Sequence, residues 1–427
     1  MTLSLVSCLV AVFAAPPASP SLPELMRAAR GYEANLRAGD ADLAAQRAAL
    51  DVADGGLWPR FEARLGYTQN QRDVRVQLPD GDGTREIVIT PHEQFEASFT
   101  LTVPLLDLGR RARIDASERR LEGQEAAYAD RVSRTDEAVA SAYYEGVFAR
   151  ARATIAETEL ATAGERLTRI RTRLAAGFAG PLDVARAEAE IERSRRALAD
   201  ARMDEDSARR RLTQLTGQVV DFAAALMIDV DDPRDGRLDD WLNKADTLPA
   251  VVSVEREAGA LRLEAHAAGL DLVPTIDAFI AERITNANGF GEPDNLQAGV
   301  TATFRIDLPT LARDDEIAAR ARAADRRVEV ARRAARARIE DVWGQLTNRK
   351  ARIAAARSEV AAQERALADV DVRNREGTST ALDLDSARRD LLAARIELAR
   401  SEAELALARV LLATAAGIDL TAPGGTP

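Results

Sequence analysis

Period-two alternation of apolar and polar residues appears in four segments of the chain. Phe95, Ala97, Phe99, Leu101 and Val103 fall on one side of a strand; Gln94, Glu96, Ser98, Thr100 and Thr102 fall on the other. Phe61, Ala63, Leu65 and Tyr67 alternate in the same way with Arg60, Glu62, Arg64 and Gly66. Further along, Ala298, Val300, Ala302, Phe304 and Ile306 alternate with Gln297, Gly299, Thr301, Thr303 and Arg305. Ile276, Ala278 and Ile280 alternate with Thr275 and Asp277, although Phe279 breaks the polar side. The pattern predicts strands at 59–70, 93–104, 274–284 and 296–307. Asp80-Gly81-Asp82-Gly83 and the glycine-containing segment 286–295 supply the turn chemistry between them.

Around the strands the period changes. Ile339, Leu346, Ile353, Val360 and Leu367 recur every seven residues, and Leu160, Leu167 and Leu174 do the same. This is a coiled-coil seam, with alanine allowing close helix approach and Arg and Glu covering the exposed faces. Proline is absent between Leu108 and Pro181, and again between Pro309 and Pro423. Helices are therefore expected at 110–176 and 312–376, each about 100 Å long, and shorter ones at 24–57, 182–216 and 383–416, about 50 Å each. Two short helices stacked end to end match one long helix.

The chain is also self-similar. A shift of 200 residues places Val139 on Ile339, Leu167 on Leu367, Gly177 on Gly377, Leu182 on Leu382, Asp183 on Asp383, Ala187 on Ala387 and Gly217 on Gly417. Nearer the N-terminus the shift is 215, which matches Pro59 to Pro274. Residues 16–217 form a first repeat and 241–417 a second. A linker at 218–240 joins them, and 418–427 is expected to be a flexible C-terminal tail.

Composition narrows the function. The net charge of −11 argues against a nucleic-acid partner. One cysteine, Cys8, permits neither an internal disulfide nor a cysteine-based zinc site, and two histidines, His92 and His266, leave little for histidine chemistry. There is no glycine-rich phosphate loop, nucleophile elbow or HExxH motif, so the chain is not expected to be an enzyme or to bind a cofactor. The acids Asp229, Asp231 and Asp232 lack EF-hand spacing and read as a solvated loop rather than a calcium site.

The apolar run Leu3–Ala15, followed by Pro16, Pro17 and Pro20, has the size of a signal-peptide core, with small residues for cleavage near Ala15. Leu5-Val6-Ser7-Cys8 offers the alternative of lipid attachment at Cys8. No later run reaches the roughly eighteen apolar residues of a membrane-spanning helix. Membrane entry then requires a closed β-barrel. Four strands cannot close one, but three chains of four supply twelve. A soluble periplasmic coiled-coil scaffold is the competing reading, which the paired strands disfavour.

With its duplicated helix–strand–strand–helix plan, the chain resembles the TolC-like outer-membrane factors from about residue 21 to 417. The resemblance rests also on two turns, Gly177-Phe178-Ala179-Gly180-Pro181-Leu182-Asp183-Val184 and Gly377-Thr378-Ser379-Thr380-Ala381-Leu382-Asp383-Leu384. It implies a mainly α chain with membrane β-strands: a homotrimer in the Gram-negative outer membrane, with a 12-stranded barrel and a 12-helix periplasmic tunnel. It further implies a passive exit duct served by a periplasmic adaptor and an inner-membrane transporter of the RND or ABC type. The outer-membrane component of a type I secretion system is the alternative within the family. The cargo is not written in the sequence.

By the same resemblance, 177–183 and 377–383 are periplasmic tip turns. Gly177, Pro181, Leu182, Gly377 and Leu382 are then candidate adaptor contacts, and Asp183 and Asp383 a candidate constriction of the channel. As residues opening helices, both acids can equally be simple caps. Trp58, where helix gives way to strand, suits a membrane interface. In the best-known member of the family an arginine two residues after the second tip glycine latches the closed mouth; here that position is Ser379, so a latch must come from elsewhere, with Arg373 and Arg375 nearby, or closure works differently.

Overall fold

The computed structural model describes residues 20–80, 83–223, 226, 228–287, 289, 291–304 and 308–422. The expected signal segment 1–15, Cys8, the turn residues Gly81 and Asp82, Arg305, Ile306 and the last five residues lie outside them. In chain order the elements are α1 (Leu22–Tyr32), α2 (Ala34–Gly55), β1 (Arg60–Gln69), β2 (Val74–Asp80), β3 (Gly83–Thr90), β4 (Glu93–Leu106), α3 (Leu108–Ala175) and α4 (Pro181–Thr216). Next come α5 (Leu238–Leu242), α6 (Pro249–Leu270), β5 (Thr275–Thr285), β6 (Asp294–Thr303), α7 (Leu308–Arg375) and α8 (Ala381–Ala415). The two long helices have 68 residues each, and their return helices have 36 and 35.

Two differences from the sequence reading have local causes. The expected single helix at 24–57 is two, because Glu33 leaves the helical region at ψ 130° and its carboxylate then accepts from the N–H of Leu36 at 3.2 Å, capping α2. The expected four strands are six, because residues 74–90 fold into an additional hairpin, β2–β3, with Val76 opposite Ile87. Gln69 to Glu93 spans 24 positions, against 9 from Thr285 to Asp294. The difference of 15 accounts for the change of register from 215 to 200.

The described residues divide into two compact units. One comprises Asp40–Tyr128 and Pro249–Arg333; the other comprises the residues up to Gly39, Ala129–Leu248 and those from Ala334 onward.

The first unit carries an antiparallel sheet of order β1-β4-β5-β6. Its register sorts the side chains by face. Phe61, Leu101, Ile280 and Ala298 lie in one row, and Leu65, Ala97 and Ile284 in another; the opposite face holds Glu62, Thr100, Ala281 and Gln297. Glu96 and Arg283 pair on this polar face at 2.8 Å. Phe279, out of pattern in the sequence, covers Gly299, whose missing side chain leaves room for the ring. The helices of this unit adjoin in the order α2-α3-α6-α7. Arg47–Glu125 joins the first two at 3.3 Å, Arg256–Glu122 the middle two at 3.1 Å and Arg262–Asp325 the last two at 3.4 Å. The first and last of these pairs are images of each other under the duplication.

The second unit is built on the same order, α4-α3-α8-α7. Its core gathers Leu25, Met26, Val139, Val147, Leu212, Val220 and Val410, each at most 2% exposed. Each such side chain contributes about 1.5–3 kcal/mol through burial. The heptad positions Ile339, Leu346 and Ile353 are buried, whereas Val360 and Leu367 are half-buried and Leu174 is exposed, so the seams thin toward the turns. Residues 418–422 depart from the expected flexible tail. Leu420 is buried in the core, and Asp419 meets Arg30 of α1 at 2.8 Å; Arg30 also pairs with buried Asp136 of α3 at 2.6 Å.

The segment between the repeats is fastened in the same unit. Phe222 fills the space left by Gly146 of α3, and the Asp235 carboxylate accepts from Arg409 of α8 at 2.9 and 3.0 Å while meeting Lys350 of α7 at 2.5 Å.

Candidate functional site

The two helical turns that sequence reasoning singled out are built alike. Gly177 and Gly377 sit at φ +80° and +79°, in the left-handed region, and a side chain on either would meet nothing within 4 Å. Glycine is required there by the backbone, not by space. The N–H of Phe178 donates to the carbonyl of Arg173 at 2.8 Å, and that of Thr378 to Arg373 at 2.9 Å; this six-to-one bond closes a long helix and reverses the chain. Pro181 opens α4, where its missing N–H costs nothing.

Asp183 and Asp383 both stand at the third helical position and both cap. They do so unequally. The Asp183 carboxylate accepts from the N–H of Gly180 at 3.0 Å. The Asp383 carboxylate accepts through one oxygen from the Thr380 hydroxyl at 2.7 Å, the Thr380 N–H at 2.9 Å and the Ser379 hydroxyl at 3.3 Å. These bonds, the Thr380 hydroxyl foremost, hold the Asp383 carboxyl below the usual carboxylate range. Ser379 is thus occupied within its own turn, where its carbonyl also accepts from the Asn374 amide at 3.1 Å. The two arginines considered as substitutes for the latch pair along their own helix, Arg373 with Asp369 at 2.5 Å and Arg375 with Asp371.

Near the turns, an ion pair between the two hairpins comes instead from residues that sequence reasoning missed. Arg166 of α3 pairs with Asp385 of α8, both largely shielded, beside a groove lined by Arg173, Phe178, Arg186 and Leu382. Glu159 and Arg388 lie in the same cluster. Burial pushes the Glu159 carboxyl up, with Glu190 adding to the effect and Arg388 opposing it. The signal was present in the duplication: the images of Arg166 and Asp385 are Ala366 and Ala185, so each charge is present in its own copy and missing from the other.

The apolar side chains at the turns are unprotected. Phe178 is 76% exposed, Leu182 61% and Leu382 67%. In the other unit Trp58, also exposed, follows the end of α2 and precedes β1. The sheet there bares its apolar face through Phe61, Leu65, Tyr67, Leu296 and Val300, each 64–70% exposed. Among the described residues β1 and β6 each pair on one side only. No helix among those residues is long and apolar enough to cross a membrane. Asp229 and Asp232 are turn formers; Asp232 caps a short helical turn and pairs with Arg234 at 2.6 Å, which draws its carboxyl down to about 2.

Known proteins share this arrangement. A family model described as outer membrane efflux protein matches residues 25–218 and 248–418. Protein CyaE of Bordetella pertussis is 26% identical over 309 residues, covering 70% of this chain. The match spans 61% of CyaE's own length. Among solved structures, CusC superposes with a TM-score of 0.79 at 18% identity, covering 93% of this chain and 92% of that one. The outer membrane protein VceC of Vibrio cholerae gives 0.77 at 17% identity, covering 93% and 96%.

Proposed function

The chain belongs to the outer membrane efflux protein family, and we propose that three copies of it close into one outer-membrane duct, the passive exit of a tripartite efflux pump. Cargo would enter from an inner-membrane transporter through a periplasmic adaptor. The observation that carries this reading is the four-stranded sheet with an apolar face in the open and two unsatisfied edges. Such edges left exposed invite aggregation. Pairing β1 of one chain with β6 of the next satisfies them, turns the apolar face to lipid and leaves Glu62, Arg64, Glu96 and Arg283 facing an aqueous lumen.

The hairpin turns form the periplasmic mouth in this reading. Leu182, Leu382 and Phe178 offer exposed apolar contacts to an adaptor, around the reversals set by Gly177, Pro181 and Gly377. Asp183 and Asp383, repeated by three chains, form rings of carboxylates that favour cations. Trp58 anchors the inner membrane interface.

Purification in detergent followed by mass measurement and planar-bilayer recording tests the duct. A trimer with ohmic conductance is expected. A monodisperse monomer that needs no detergent and conducts nothing would sink the reading.

A further inference from the structure

We propose that one chain docks on the next through Met203 of α4, which enters a hole on α7 of its neighbour lined by Gly344, Thr347, Asn348 and Ala351. The inference rests on the reading of three chains in a ring and supplies a contact that joins them. In the helical unit the order α4-α3-α8-α7 leaves one flank of α4 and one flank of α7 open. Rotational symmetry closes three such units only by setting α7 of one chain against α4 of the next, as α3 is already set against α8. The α3–α8 contact inside the chain is therefore the pattern for the α7–α4 contact between chains.

The register inside the chain is fixed along its length. Arg166 pairs with Asp385, the Arg400 guanidinium lies 5.3 Å from the centre of the Phe148 ring, and the Thr414 hydroxyl donates to Glu137 at 3.2 Å. These contacts set Ala403 of α8 level with Val147 and Phe148 of α3, one turn from Tyr144 and from Ala151. Tyr144 and Val147 are buried there and Phe148 is half-buried. This stretch of α3 is filled by its own large side chains, and the residue that packs level with it is a buried alanine.

At the open flanks the images exchange large for small. Tyr144, Val147, Phe148 and Ala151 become Gly344, Thr347, Asn348 and Ala351, all exposed in the single chain. A side chain added at Gly344 would meet nothing within 4 Å. Ala403 becomes Met203, which is 62% exposed. An uncovered, adaptable side chain thus stands level with an unfilled hole, the arrangement of a knob and its socket between helices. Next to it, Arg400 and Phe148 become Asp200 and Asn348, so a cation over a ring is replaced by a carboxylate opposite an amide that can donate to it. The exchange also sets the order of the hairpins. Met203 would overlap the rings of α3, and Ala403 against α7 would leave a void, so like hairpins do not pair and the wall alternates.

The test uses the full-length chain in detergent. Met203→Ala and Gly344→Tyr should leave helical content by circular dichroism unchanged, because both residues are exposed in the single chain. Each should weaken the trimer roughly tenfold or more per seam when it is diluted. The two together place alanine against tyrosine, as Ala403 and Tyr144 stand inside the chain, and should recover most of the loss. Oxidation of Met203→Cys with Thr347→Cys should link chains to one another on a denaturing gel. A trimer indifferent to both single variants, a double variant whose losses add, or chains left unlinked in an oxidised trimer overturns the knob and leaves the duct standing. A protein that is monomeric in detergent overturns the duct itself.

Discussion

Removing the Asp235 carboxylate should unfasten the segment between the repeats from both helices of the second hairpin. The carboxylate is 8% exposed; it is shared by Arg409, 12% exposed, and Lys350, 27% exposed. Its own carbonyl accepts from the Trp241 indole at 2.8 Å, which keeps the loop turned toward the pair. Asp235→Ala leaves Arg409 buried with one remaining acceptor, the carbonyl of Val230 at 3.3 Å. Breaking a buried pair costs about 3–5 kcal/mol. Lys350 is exposed enough to rehydrate, which places the expected cost near the lower end, about 3 kcal/mol. That is roughly a hundredfold rise in the fraction of open segment. Limited proteolysis reads this fraction directly when opening is fast relative to cleavage. Cleavage within 223–248 should accelerate by that factor in the variant and leave the rest of the chain resistant. Asp235→Leu with Arg409→Met removes both buried charges and should recover most of the loss. Unchanged cleavage in Asp235→Ala, or no recovery in the apolar pair, refutes the reasoning.

Gly146→Ala should destabilise the chain by about 1–3 kcal/mol, because the added carbon would lie 2.1 Å from the Phe222 ring. Helix propensity alone predicts a gain of about 1 kcal/mol, so the sign of the change in thermal midpoint decides. Gly177→Ala and Gly377→Ala should cost the same, about 1–2 kcal/mol, since both are purely torsional; hydrogen exchange of the two turns would show a difference if space mattered. Glu159→Gln should raise the thermal midpoint at neutral pH. The Glu159 carboxyl is shifted upward on folding, so its ionised form opposes folding; the advantage of the variant should fade as pH falls and vanish well below about 4, where the wild-type group is protonated in both states. A gain that is independent of pH counts against this. Asp183→Asn should reduce cation selectivity in bilayer recordings more than Asp383→Asn, since one Asp383 oxygen is already taken by three donors. Equal losses would refute it.

The duplicated plan, the face assignment of the strands and the turn geometry were legible because each depends on local periodicity. Phe95, Phe99 and Leu101 announce their face through spacing alone, and each turn glycine is marked by the Leu-Asp pair that opens the return helix a few residues later. The β2–β3 hairpin was equally open to view, since Val74, Val76 and Leu78 alternate with Arg75 and Gln77, but a loop rich in Asp and Gly obscured it. The break at Glu33 was not legible: glutamate is a good helix former, and its role as a cap depends on a backbone turn that no local pattern demands. Arg166 and Asp385 were hidden for another reason. They are 219 positions apart, and pairing them needs the mutual register of two hairpins, which propensity does not supply.

Where the repeats differ in length also follows from physical constraint. A helix packed along its length cannot gain residues without displacing its partners' buried positions, and α3 and α7 have the same length. The 15 additional residues of the first copy appear instead at the free end of a strand pair, where β2 and β3 hydrogen-bond to each other and ask nothing of the four-stranded sheet. The rest of the asymmetry lies in the linker, where Val220, Phe222 and Asp235 have been recruited to lock one end of the helical unit. Duplication thus preserved the features on which both copies depend, and variation entered where only one copy bears the consequence.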